Sequence, residues 1–531
     1  MTPYRLHWTP RAPSAATCGS LVTSAALWMP LVLALNACTT LGPEYHAPAV
    51  NAPAQWADRH GGPPSLAAPP EAAAAFPADR WSVFGDPILV ELQGLARTSN
   101  ADARTAALRL LQARVGETTA SAQRGVEAGA RAAASRQRQS ESGSGTRVAG
   151  ALGGSAGEQV ISALSSPFSL YQAGFDASWE PDLWGRVLRS EQAAQATTQG
   201  QEANLRQVNL GVAAEVARNY FALRQAQAQR GLAEQELAAA RETQALLQGR
   251  HEQGMADDSA LLSQRSGITG LQATLSALQQ QEAQAINRLT LLCGTEPGAL
   301  NGRLRADAAE PLSGPMPDLR LGLPSDLARR RPDIAAAESR LRTATANIGI
   351  AQADLYPRIT LGASFGFETV DSASFAAWGT RQWSIGPSLS LPVFDGGRRR
   401  ATVALRELQQ QEAAVAFQQT VLQAWHEVDD AVAAYIAEAQ RLQQSQQRLD
   451  LGIDQASRSQ ARYDTGMRNY LPVLAARTTV LQARRDMADS QARMRIALAA
   501  LFKALGEDSD TAPGARSSNA DTGGTMASRA R

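Results

Sequence analysis

Residue types that often catalyse reactions or bind metals are thinly scattered along this 531-residue chain. The adjacent Asp429 and Asp430 are typical of a solvated helix face. No phosphate-binding loop, nucleophile elbow or dinucleotide fingerprint occurs in the sequence. Beyond the N-terminal segment the histidines lie far apart, without cysteine or carboxylate partners at metal-ligand spacing: His46, His60, His251 and His426. These features predict a protein that is not an enzyme and that uses no cofactor or metal.

Cys38 is the residue with the most specific predicted chemistry. Residues 1–37 have the basic start and apolar run of a secretory signal peptide, and Pro30 argues against a spanning helix. Residues 35–38, Leu-Asn-Ala-Cys, are similar to a bacterial lipobox, whose cysteine is acylated and becomes the new N-terminus. An ordinary signal peptide with an accidental cysteine is the alternative. Because Thr39 is not the aspartate that retains lipoproteins at the inner membrane, acylation would anchor the chain to the outer membrane.

Composition limits the classes of possible partner and indicates the state of the cysteines. The formal net charge is only +1, so there is no electrostatic basis for a nucleic-acid partner. Cys293 is the single cysteine beyond the N-terminal segment, and we expect it to be a buried, inert thiol. Aromatic residues make up 5% of the chain, which suits extended helical packing better than a thick globular core.

The chain from residue 185 onward contains an internal duplication. Residues 185–294 recur 212 positions later without a gap, so Gly254 and Met255 return as Gly466 and Met467. A constant offset over a long stretch indicates two copies of one supersecondary unit. The unit is predicted to consist of a strand, a very long helix, a tight tip and a second long helix.

An upstream segment is duplicated with a different offset. Residues 102–113 recur 231 positions later, at 333–344, within helical patterns predicted for 86–123 and 326–354. The first copy therefore carries 19 extra residues between the two regions of similarity. We place them in the Gly/Ser-rich run 140–166, which its composition predicts to be a surface loop.

After each of these helical patterns the hydrophobic period changes to two, which predicts β-strands. One face of each predicted strand is apolar, and the other is rich in Ser, Gly and Thr. A small water-soluble sheet packed on a helical core is the alternative to membrane insertion. Four strands cannot close a barrel, so insertion would require an oligomer. The four strands, of a length suited to a tilted membrane-spanning strand, are predicted at 126–134, 171–179, 358–367 and 383–393.

Two long proline-free stretches, 186–250 and 398–463, predict helices of roughly 100 Å each at 1.5 Å per residue. Each stretch ends near a glycine that can adopt the left-handed conformation, and Pro472 suits the first turn of the next helix. The two tips are interpreted either as plain helix–helix turns or as docking surfaces that can close. Seven-residue steps indicate coiled-coil packing along two rows: Val428, Tyr435, Leu442, Leu449 and Ala456, and Trp425, Val432, Ala439, Gln446 and Ile453.

With these features together, the chain resembles the outer membrane factor family, the TolC-like channels, and specifically the NodT/OprM type of efflux lipoprotein. The resemblance covers the chain from Cys38 to about Gly506. The motifs that carry it are Gly42-Pro43-Glu44-Tyr45, Trp81 with Phe84-Gly85-Asp86-Pro87, Arg331-Pro332-Asp333-Ile334, Tyr356-Pro357, Leu391-Pro392-Val393-Phe394-Asp395-Gly396-Gly397-Arg398, and the tip from Tyr463 to Gly466.

The resemblance implies a mainly α fold with a small β part. Each protomer of a homotrimer would contribute four strands to one 12-stranded β-barrel in outer-membrane lipid, over a helical periplasmic tunnel. The tips would meet a periplasmic adaptor (a membrane fusion protein) and an inner-membrane RND-type pump. Small molecules would leave passively through this duct, and the pump would select them.

The resemblance also assigns roles to tip residues. Tyr463 and Arg468 match positions that help to hold the closed state. The family often has an acidic constriction just after this turn, where this chain has Pro472. Asp257 and Asp258 of the first copy are the alternative source of an acidic ring. The tip turns expected to dock an adaptor contain Gly254, Met255, Gly466 and Met467.

Two rival interpretations remain at this stage. A periplasmic adaptor lipoprotein would have one helical hairpin, and a coiled-coil scaffold without channel activity would lack alternating strands. The duplicated hairpins together with four alternating strands favour the channel. The predicted parts are a signal peptide at 1–37, a lipidated extended tether at 38–80, repeat 1 at 81–300 with a strand hairpin near 126–180, repeat 2 at 301–506 with a strand hairpin near 357–393, and a disordered tail at 507–531.

Overall fold

The structure is a computed structural model, and it describes residues 40–48, 80–143, 146–147, 154–305 and 331–506. The predicted signal peptide, Cys38, most of the predicted tether and the predicted tail lie outside the described residues. The described part is mainly helical with one small sheet, which confirms the predicted fold class at this level.

Long helices and short strands alternate along the chain. In the described ranges three 3₁₀ turns accompany them, at Arg80–Phe84, Ser372–Ser374 and Trp378–Thr380. The elements in chain order are α1 (Pro87–Ser99), α2 (Ala101–Ala122), β1 (Glu127–Gln137), α3 (Gly154–Ser165), β2 (Phe168–Trp179), α4 (Arg186–Glu252), α5 (Asp258–Leu292), α6 (Pro332–Ala353), β3 (Arg358–Thr369), β4 (Arg381–Ser390), α7 (Arg398–Asp464) and α8 (Leu471–Leu505).

The bounds of these elements repeat with the predicted offsets. Helices α2 and α6 both have 22 residues and start 231 positions apart, as do β1 and β3. Helices α4 and α7 both have 67 residues and start 212 positions apart. Helices α5 and α8 both have 35 residues. The connection between β1 and β2 exceeds that between β3 and β4 by 19 residues, so the duplication is confirmed in three dimensions.

One of two compact units contains the sheet. Its described part comprises residues 40–42, 123–143, 146–147, 154–189 and 349–399. The strands lie in the order β1-β2-β3-β4, and every neighbouring pair is antiparallel. The predicted pair of hairpins is therefore confirmed, and β1 and β4 form the two edges of the sheet.

The strand register places most apolar side chains of the four strands on one face. Phe175 lies opposite Phe365, which in turn lies opposite Trp383. The intervening residues form the other face, where Ser364 lies opposite Ser384. The remaining members of the apolar face are Ala128, Ala130, Ala132, Ala134, Tyr171, Ala173, Ala177, Trp179, Ile359, Leu361, Ala363, Phe367, Ile385 and Leu389. The alternation predicted from the sequence is confirmed.

The second unit contains most of the helices, and its core is aromatic at the centre. The Phe84 ring lies 4.8 Å from that of Phe221 and 6.2 Å from that of Phe502. Burying a side chain of this size contributes about 1.5–3 kcal/mol. Asp86 caps the start of α1, because its carboxylate accepts the N–H groups of Ile88 and Leu89. The same carboxylate also accepts a hydrogen bond from the hydroxyl of the buried Tyr220. The start of α1 is thereby bound to the middle of α4.

The structure corrects the helix predicted over 86–123, which is broken at Asn100. The backbone of Asn100 is extended, with φ −62° and ψ 132°, and its side-chain oxygen accepts the N–H groups of Asp102 and Ala103. Asparagine is a good N-cap because its short side chain can reach these free donors. One helix therefore ends, and another begins, at this residue.

Three further expectations were wrong in extent. The run 140–166, predicted to be a loop, contains the helix α3, because the Gly/Ser composition of the run masks a twelve-residue helical segment. The strand predicted to reach Val393 ends at Ser390, where Pro392 soon removes a backbone donor. Strand β1 instead continues beyond its predicted end to Gln137.

The predicted coiled-coil rows of α7 are confirmed in part. In the first row Val428 and Tyr435 are buried, and the later members are half-buried. The second row is buried or half-buried only as far as Ala439, and Gln446 and Ile453 are exposed. A straight helix drifts about 20° per heptad relative to a seven-residue repeat, so one of two adjacent rows rotates away from the seam.

Candidate functional site

The first helix tip, between α4 and α5, is a tight turn around Gly254. This glycine has φ 70°, and its N–H donates to the carbonyl of His251 at 2.8 Å. The N–H of Met255 donates to the carbonyl of Arg250, also at 2.8 Å. This pair of bonds is the Schellman arrangement, which satisfies the last carbonyls of a helix. The predicted left-handed glycine is confirmed, and it leaves the Met255 side chain exposed.

The acidic residues of the first tip are exposed. The Asp257 carboxylate accepts the hydroxyl of Ser259 at 2.6 Å, and this hydrogen bond lowers the pKa of Asp257. The Asp258 carboxylate lies 3.4 Å from Nε2 of His251, whose Nδ1 lies 3.1 Å from the carbonyl of Ala256. The first tip therefore carries two carboxylates near one histidine.

The second tip, between α7 and α8, repeats this backbone geometry. Gly466 has φ 73°, and its N–H donates to the carbonyl of Tyr463 at 2.8 Å. The N–H of Met467 donates to the carbonyl of Arg462 at 3.0 Å. Pro472 lies in the first turn of α8, as predicted. Both tips are thus the same turn with different side chains.

Aromatic side chains distinguish the second tip. The rings of Tyr463 and Tyr470 lie 4.9 Å apart at an angle of 53°, and the Arg477 guanidinium lies 5.7 Å from the Tyr470 ring. Desolvation, and then the neighbouring Glu242 carboxylate of α4, raise the pKa of Tyr470. Arg468 is exposed, and no carboxylate in the described part of the chain lies within ion-pair distance of it.

Sequence reasoning named Tyr463 and missed its partners. Tyr470 and Arg477 carry no motif of their own, and only the folded turn brings their side chains beside Tyr463. The available signal was the duplication, because Tyr463 and Tyr470 occupy the positions of His251 and Asp258 in the first copy. These two positions are in contact in both tips.

Helix α8 is bound to α4 by polar pairs along its length. The half-buried Arg485 guanidinium lies 2.9 Å from the Glu236 carboxylate, and the Gln225 amide donates to Asp489 at 2.6 Å. Nearer the tip, a groove of about 550 Å³ is lined by α4, α7 and α8, with Ile453 among its apolar members. The two repeats therefore share contacts within the helical unit.

An ion cluster lies in the sheet unit where β2 ends. The Glu180 carboxylate accepts two bonds from Arg186, at 2.9 and 3.0 Å, and lies 3.0 Å from Arg358. Partial burial alone would raise the pKa of Glu180, but the hydrogen bonds and charge of the two guanidinium groups outweigh it and lower the pKa. The carboxylate therefore stays ionised near neutral pH.

The residues just after the predicted lipidation site are held by the sheet unit. The buried Arg189 guanidinium donates to the carbonyls of Leu41 and Gly42, at 3.0 and 3.2 Å. Gly42 has φ 92°, and a Cβ atom at this position would lie 2.4 Å from the Cα of Gly349. This close approach requires glycine. The Gly-Pro-Glu-Tyr motif signalled the segment, but nothing in the sequence indicated Arg189.

The apolar face of the sheet is open in the single chain. Phe175, Trp383, Ile385 and Leu389 are each about two-thirds exposed. All residues of β1 are exposed, and nearly all of β4. A monomeric soluble protein seldom exposes so large a contiguous apolar patch. The face is suited to contact with an apolar environment.

Neither a metal site nor a membrane-spanning helix occurs in the described residues. No group of three or more histidine, cysteine and carboxylate side chains in these ranges is arranged to hold a metal ion. None of the helices in the described part of the chain has an apolar stretch of the length that a bilayer crossing requires.

Cys293 is a free and fully buried thiol, as predicted, and burial raises its pKa to about 11.

Comparison with known proteins identifies the chain as an outer-membrane efflux channel component. The family model described as "Outer membrane efflux protein" matches residues 92–295 and 323–507. The chain therefore belongs to the outer membrane efflux protein family, whose members are not enzymes.

Individual relatives and solved structures agree with this assignment. The chain is 32% identical to outer membrane protein OprJ of Pseudomonas aeruginosa over 481 residues, covering 90% of this chain and 94% of OprJ. It is 31% identical to the toluene efflux pump outer membrane protein TtgI of Pseudomonas putida over 481 residues, covering 90% and 96%. The outer-membrane channel OprN superposes with a TM-score of 0.75 at 27% identity, covering 88% of this chain and 99% of OprN. The open state of the MtrE channel of Neisseria gonorrhoeae gives 0.73 at 26% identity, covering 88% and 98%.

Proposed function

We propose that this chain forms the outer-membrane exit duct of a tripartite efflux system, through which small molecules leave the cell passively. The observation that carries the proposal is the four-stranded sheet, which exposes one apolar face and leaves both edges unpaired. Backbone groups at an open edge cannot be satisfied by lipid, so such a sheet is stable in a membrane only when its edges are paired.

Closure of the sheet requires more than one copy. Three copies supply twelve strands, a number within the range of known closed outer-membrane barrels. The Ser- and Gly-rich face would line a water-filled lumen, and the apolar face would contact lipid. The paired long helices of three protomers would form the periplasmic tunnel. Insertion of this homotrimer into the membrane would also take the exposed apolar patch of the single chain out of water.

The remaining predicted parts complete the assembly. Cys38, after removal of residues 1–37, would carry the acyl anchor in the outer membrane. The link between this anchor and the folded protein would pass through Leu41 and Gly42, which Arg189 holds. The domain boundaries at 38–80, 81–300, 301–506 and 507–531 belong to the same proposal.

The two tips would meet the adaptor of the pump. Gly254 and Gly466 shape turns that expose Met255 and Met467, and exposed methionines adapt to varied partner surfaces. An inner-membrane RND-type pump would supply the energy and select the cargo. Relatives named for toluene, solvent and antibiotic efflux support a cargo of small organic molecules.

The tips would also close the duct. Tyr463 and Arg468 of the second copy are proposed to hold the closed state, and Asp257 and Asp258 to supply the acidic ring. The exposed, ionised Asp257 supports this role because a ring of carboxylates selects against anions.

Cell fractionation with semi-native electrophoresis tests the channel. The protein is expected in the outer-membrane fraction as a trimer that converts to monomer on boiling. Mass spectrometry should find an acylated N-terminal Cys38, and Cys38→Ser should lose that mass. Recovery of the protein in the aqueous periplasmic fraction would overturn the proposal.

Site-specific photocrosslinking tests the partner. A photoreactive residue at Met467 should capture a periplasmic adaptor in cells. The control position is Val370, which is similarly exposed but lies in the connection between β3 and β4. Equal capture at both positions would contradict docking at the tips.

A further inference from the structure

The duplication makes the two hairpins of the sheet equivalent. Strand β3 repeats β1 with an offset of 231, and β4 repeats β2 with an offset of 212. The pairing of β2 with β3 is therefore the contact between the end of one hairpin and the start of the next. In a closed ring of hairpins, β4 meets β1 of the next protomer in the same relation.

We propose that the contact between β2 and β3 inside one chain is the template for the contact between protomers, and that it sets the register there. The inference rests on the proposed trimer. Applying the two offsets to the observed register gives Gly386 opposite the next protomer's Ser135, and Ser388 opposite its Ala133. The same shift places Leu389 opposite Ala132 and Ser390 opposite Arg131 of that protomer.

The two faces of the sheet provide an independent check on this register. A shift of one residue would turn every side chain of a strand to the wrong face. The offsets come from separate regions of similarity, and one is odd while the other is even. Together they nevertheless bring the apolar Leu389 beside the apolar Ala132 and the polar-face Ser388 beside Ala133. The inferred register thus continues both faces across the boundary, with Arg136, opposite Ile385 near the end of β1, as the one charged residue of the apolar face in the overlap.

Side-chain size is compatible with this register. Leu389 and Ala132 are the equivalents of Ala177 and Ala363, which lie opposite each other in the observed contact. Alanines occupy the apolar face of β1 up to residue 134, and Arg136 follows near the end of the strand. The small side chain of Ala132 leaves room for Leu389 of the neighbouring protomer.

Glycines mark the point where the strands approach most closely. A Cβ atom at Gly174 would lie 2.7 Å from the carbonyl oxygen of Phe365, in the opposite strand. Gly386 is the equivalent of Gly174, yet a Cβ atom there meets nothing within 4 Å in the single chain. The inferred contact with the next protomer's β1 explains why glycine occurs at this position, because the neighbouring strand would crowd a Cβ atom there. Ser135 stands where the template has Gly366, so the strands must lie slightly farther apart at this point.

Cysteine cross-linking of the full-length chain tests the register. Ser388→Cys combined with Ala133→Cys should give a disulfide between protomers, seen as covalent dimer and trimer on a non-reducing denaturing gel. Within one chain β1 and β4 are separated by three interstrand spacings, about 14 Å, so the bond cannot form internally. Cys293 is fully buried, which limits competing reactions.

Matched pairs on the same face control for reactivity. Ser388→Cys with Ser135→Cys, and Ser388→Cys with Arg131→Cys, place the second thiol one pleat to either side. Both should cross-link on the order of tenfold less, because a disulfide requires Cβ atoms within about 4.5 Å. Asp176→Cys with Ser364→Cys, the template pair, should form an internal disulfide.

The outcomes separate this inference from the proposed function. Native mass spectrometry of the detergent-solubilised protein reports the trimer independently of any disulfide. An absent trimer would overturn the proposed duct. An intact trimer in which an off-register pair cross-links better, or in which none of the three pairs cross-links, would overturn the register alone.

Discussion

At the scale of single residues, the tips show how one turn can carry two kinds of contact. The positions of His251 and Asp258 in the first tip correspond to Tyr463 and Tyr470 in the second. The first pair is held by a histidine–carboxylate contact of 3.4 Å and the second by tilted rings 4.9 Å apart. The second tip also has an exposed cation, Arg468, where the first tip has Ala256.

The latch proposed for the second tip predicts a change in conductance. Tyr463→Phe combined with Arg468→Ser should raise single-channel conductance in a planar bilayer, because the polar groups that would hold the tips together are removed. The matched control is His251→Phe with Ala256→Ser, the same positions in the first tip. Unchanged conductance in the first double variant, or an equal rise in the control, would contradict the latch.

Because Cys293 is buried, the rate of thiol labelling should depend strongly on whether the protein is folded and on pH. Burial raises its pKa from 9.0 to about 11, so at pH 8 the thiolate fraction is about a hundredfold lower than for an ordinary thiol. Maleimide labelling should therefore be slow in the native protein and should accelerate in guanidinium chloride. In the native protein the rate should keep rising with pH towards 11, whereas in the unfolded chain it should level off near 9. Rapid native labelling at pH 8 would show that the residue is accessible.

At the scale of elements, both repeats have a side chain just before a helix (α2 or α6) that donates to a carbonyl near the end of a long helix (α5 or α8). The donor group differs between the two repeats. The amide of Asn100 donates to the carbonyl of Leu292 at 2.9 Å, near the end of α5. Arg331, the equivalent residue of the second copy, donates to the equivalent carbonyl of Ala504 at 2.8 Å. Each junction thus satisfies a carbonyl that the helix end leaves without an internal partner.

Removing the Arg331 guanidinium should lower the stability of the folded protein. Arg331→Met would leave the buried carbonyl of Ala504 without this donor and would also remove the bonds to Asp333 and Glu427. An unsatisfied buried group costs about 1–3 kcal/mol, so the midpoint of thermal unfolding should fall. Arg340→Met, at an exposed position of α6, the helix that begins just after Arg331, should change the midpoint little. Equal midpoints for the two variants would contradict the role of the junction.

Substituting alanine for either of two helix-ending glycines, which have nearly the same backbone conformation, should lower the stability of the fold by different amounts. Gly466 has φ 73° and Gly506 φ 76°, so alanine meets a similar left-handed strain, about 1 kcal/mol, at both. A Cβ atom at Gly466 meets nothing within 4 Å, whereas at Gly506 it would lie 2.4 Å from the Arg331 side chain. Thermal unfolding should therefore be affected more by Gly506→Ala than by Gly466→Ala. Equal costs would mean that strain, rather than packing, decides the cost at both positions, and a reversed order would contradict the packing argument.

The sequence predicted elements well wherever a repeat or a period supported them. The offset of 231 identified even the weak strand β1, whose apolar face is mostly alanine. The break at Asn100 was hidden because the helical period continues through it, and its partner Leu292 is distant in sequence. The contacts of Tyr463 with Tyr470 were hidden for a related reason. Local patterns specify a turn, but folding decides which side chains meet across it.

At the scale of the whole molecule, one duplicated unit accounts for both compact units of the chain. Each repeat contributes a hairpin to the sheet unit and a pair of long helices to the helical unit. Three protomers would then present six near-equivalent hairpins. The 19 extra residues of the first copy fall in the connection between β1 and β2, so they leave the repeated elements unchanged.

Adjacent residues on opposite faces of β3 provide the test of membrane insertion. Phe365 lies on the exposed apolar face, and Ser364 on the polar face opposite Ser384. Phe365→Arg should reduce the heat-modifiable trimer in the outer membrane, because a lipid-facing arginine near the bilayer midplane costs about 2–4 kcal/mol. Ser364→Arg should assemble normally and reduce conductance, since its charge would lie in the lumen.

The pair shares one strand, one substituted residue and nearly the same depth, so only the face differs. Because three equivalent positions are changed in each trimer, even the lower cost per site should be visible in the yield. Equal yields of trimer for the two variants would show that the apolar face does not contact lipid. An assembly defect confined to Ser364→Arg would show that the faces of the sheet are reversed.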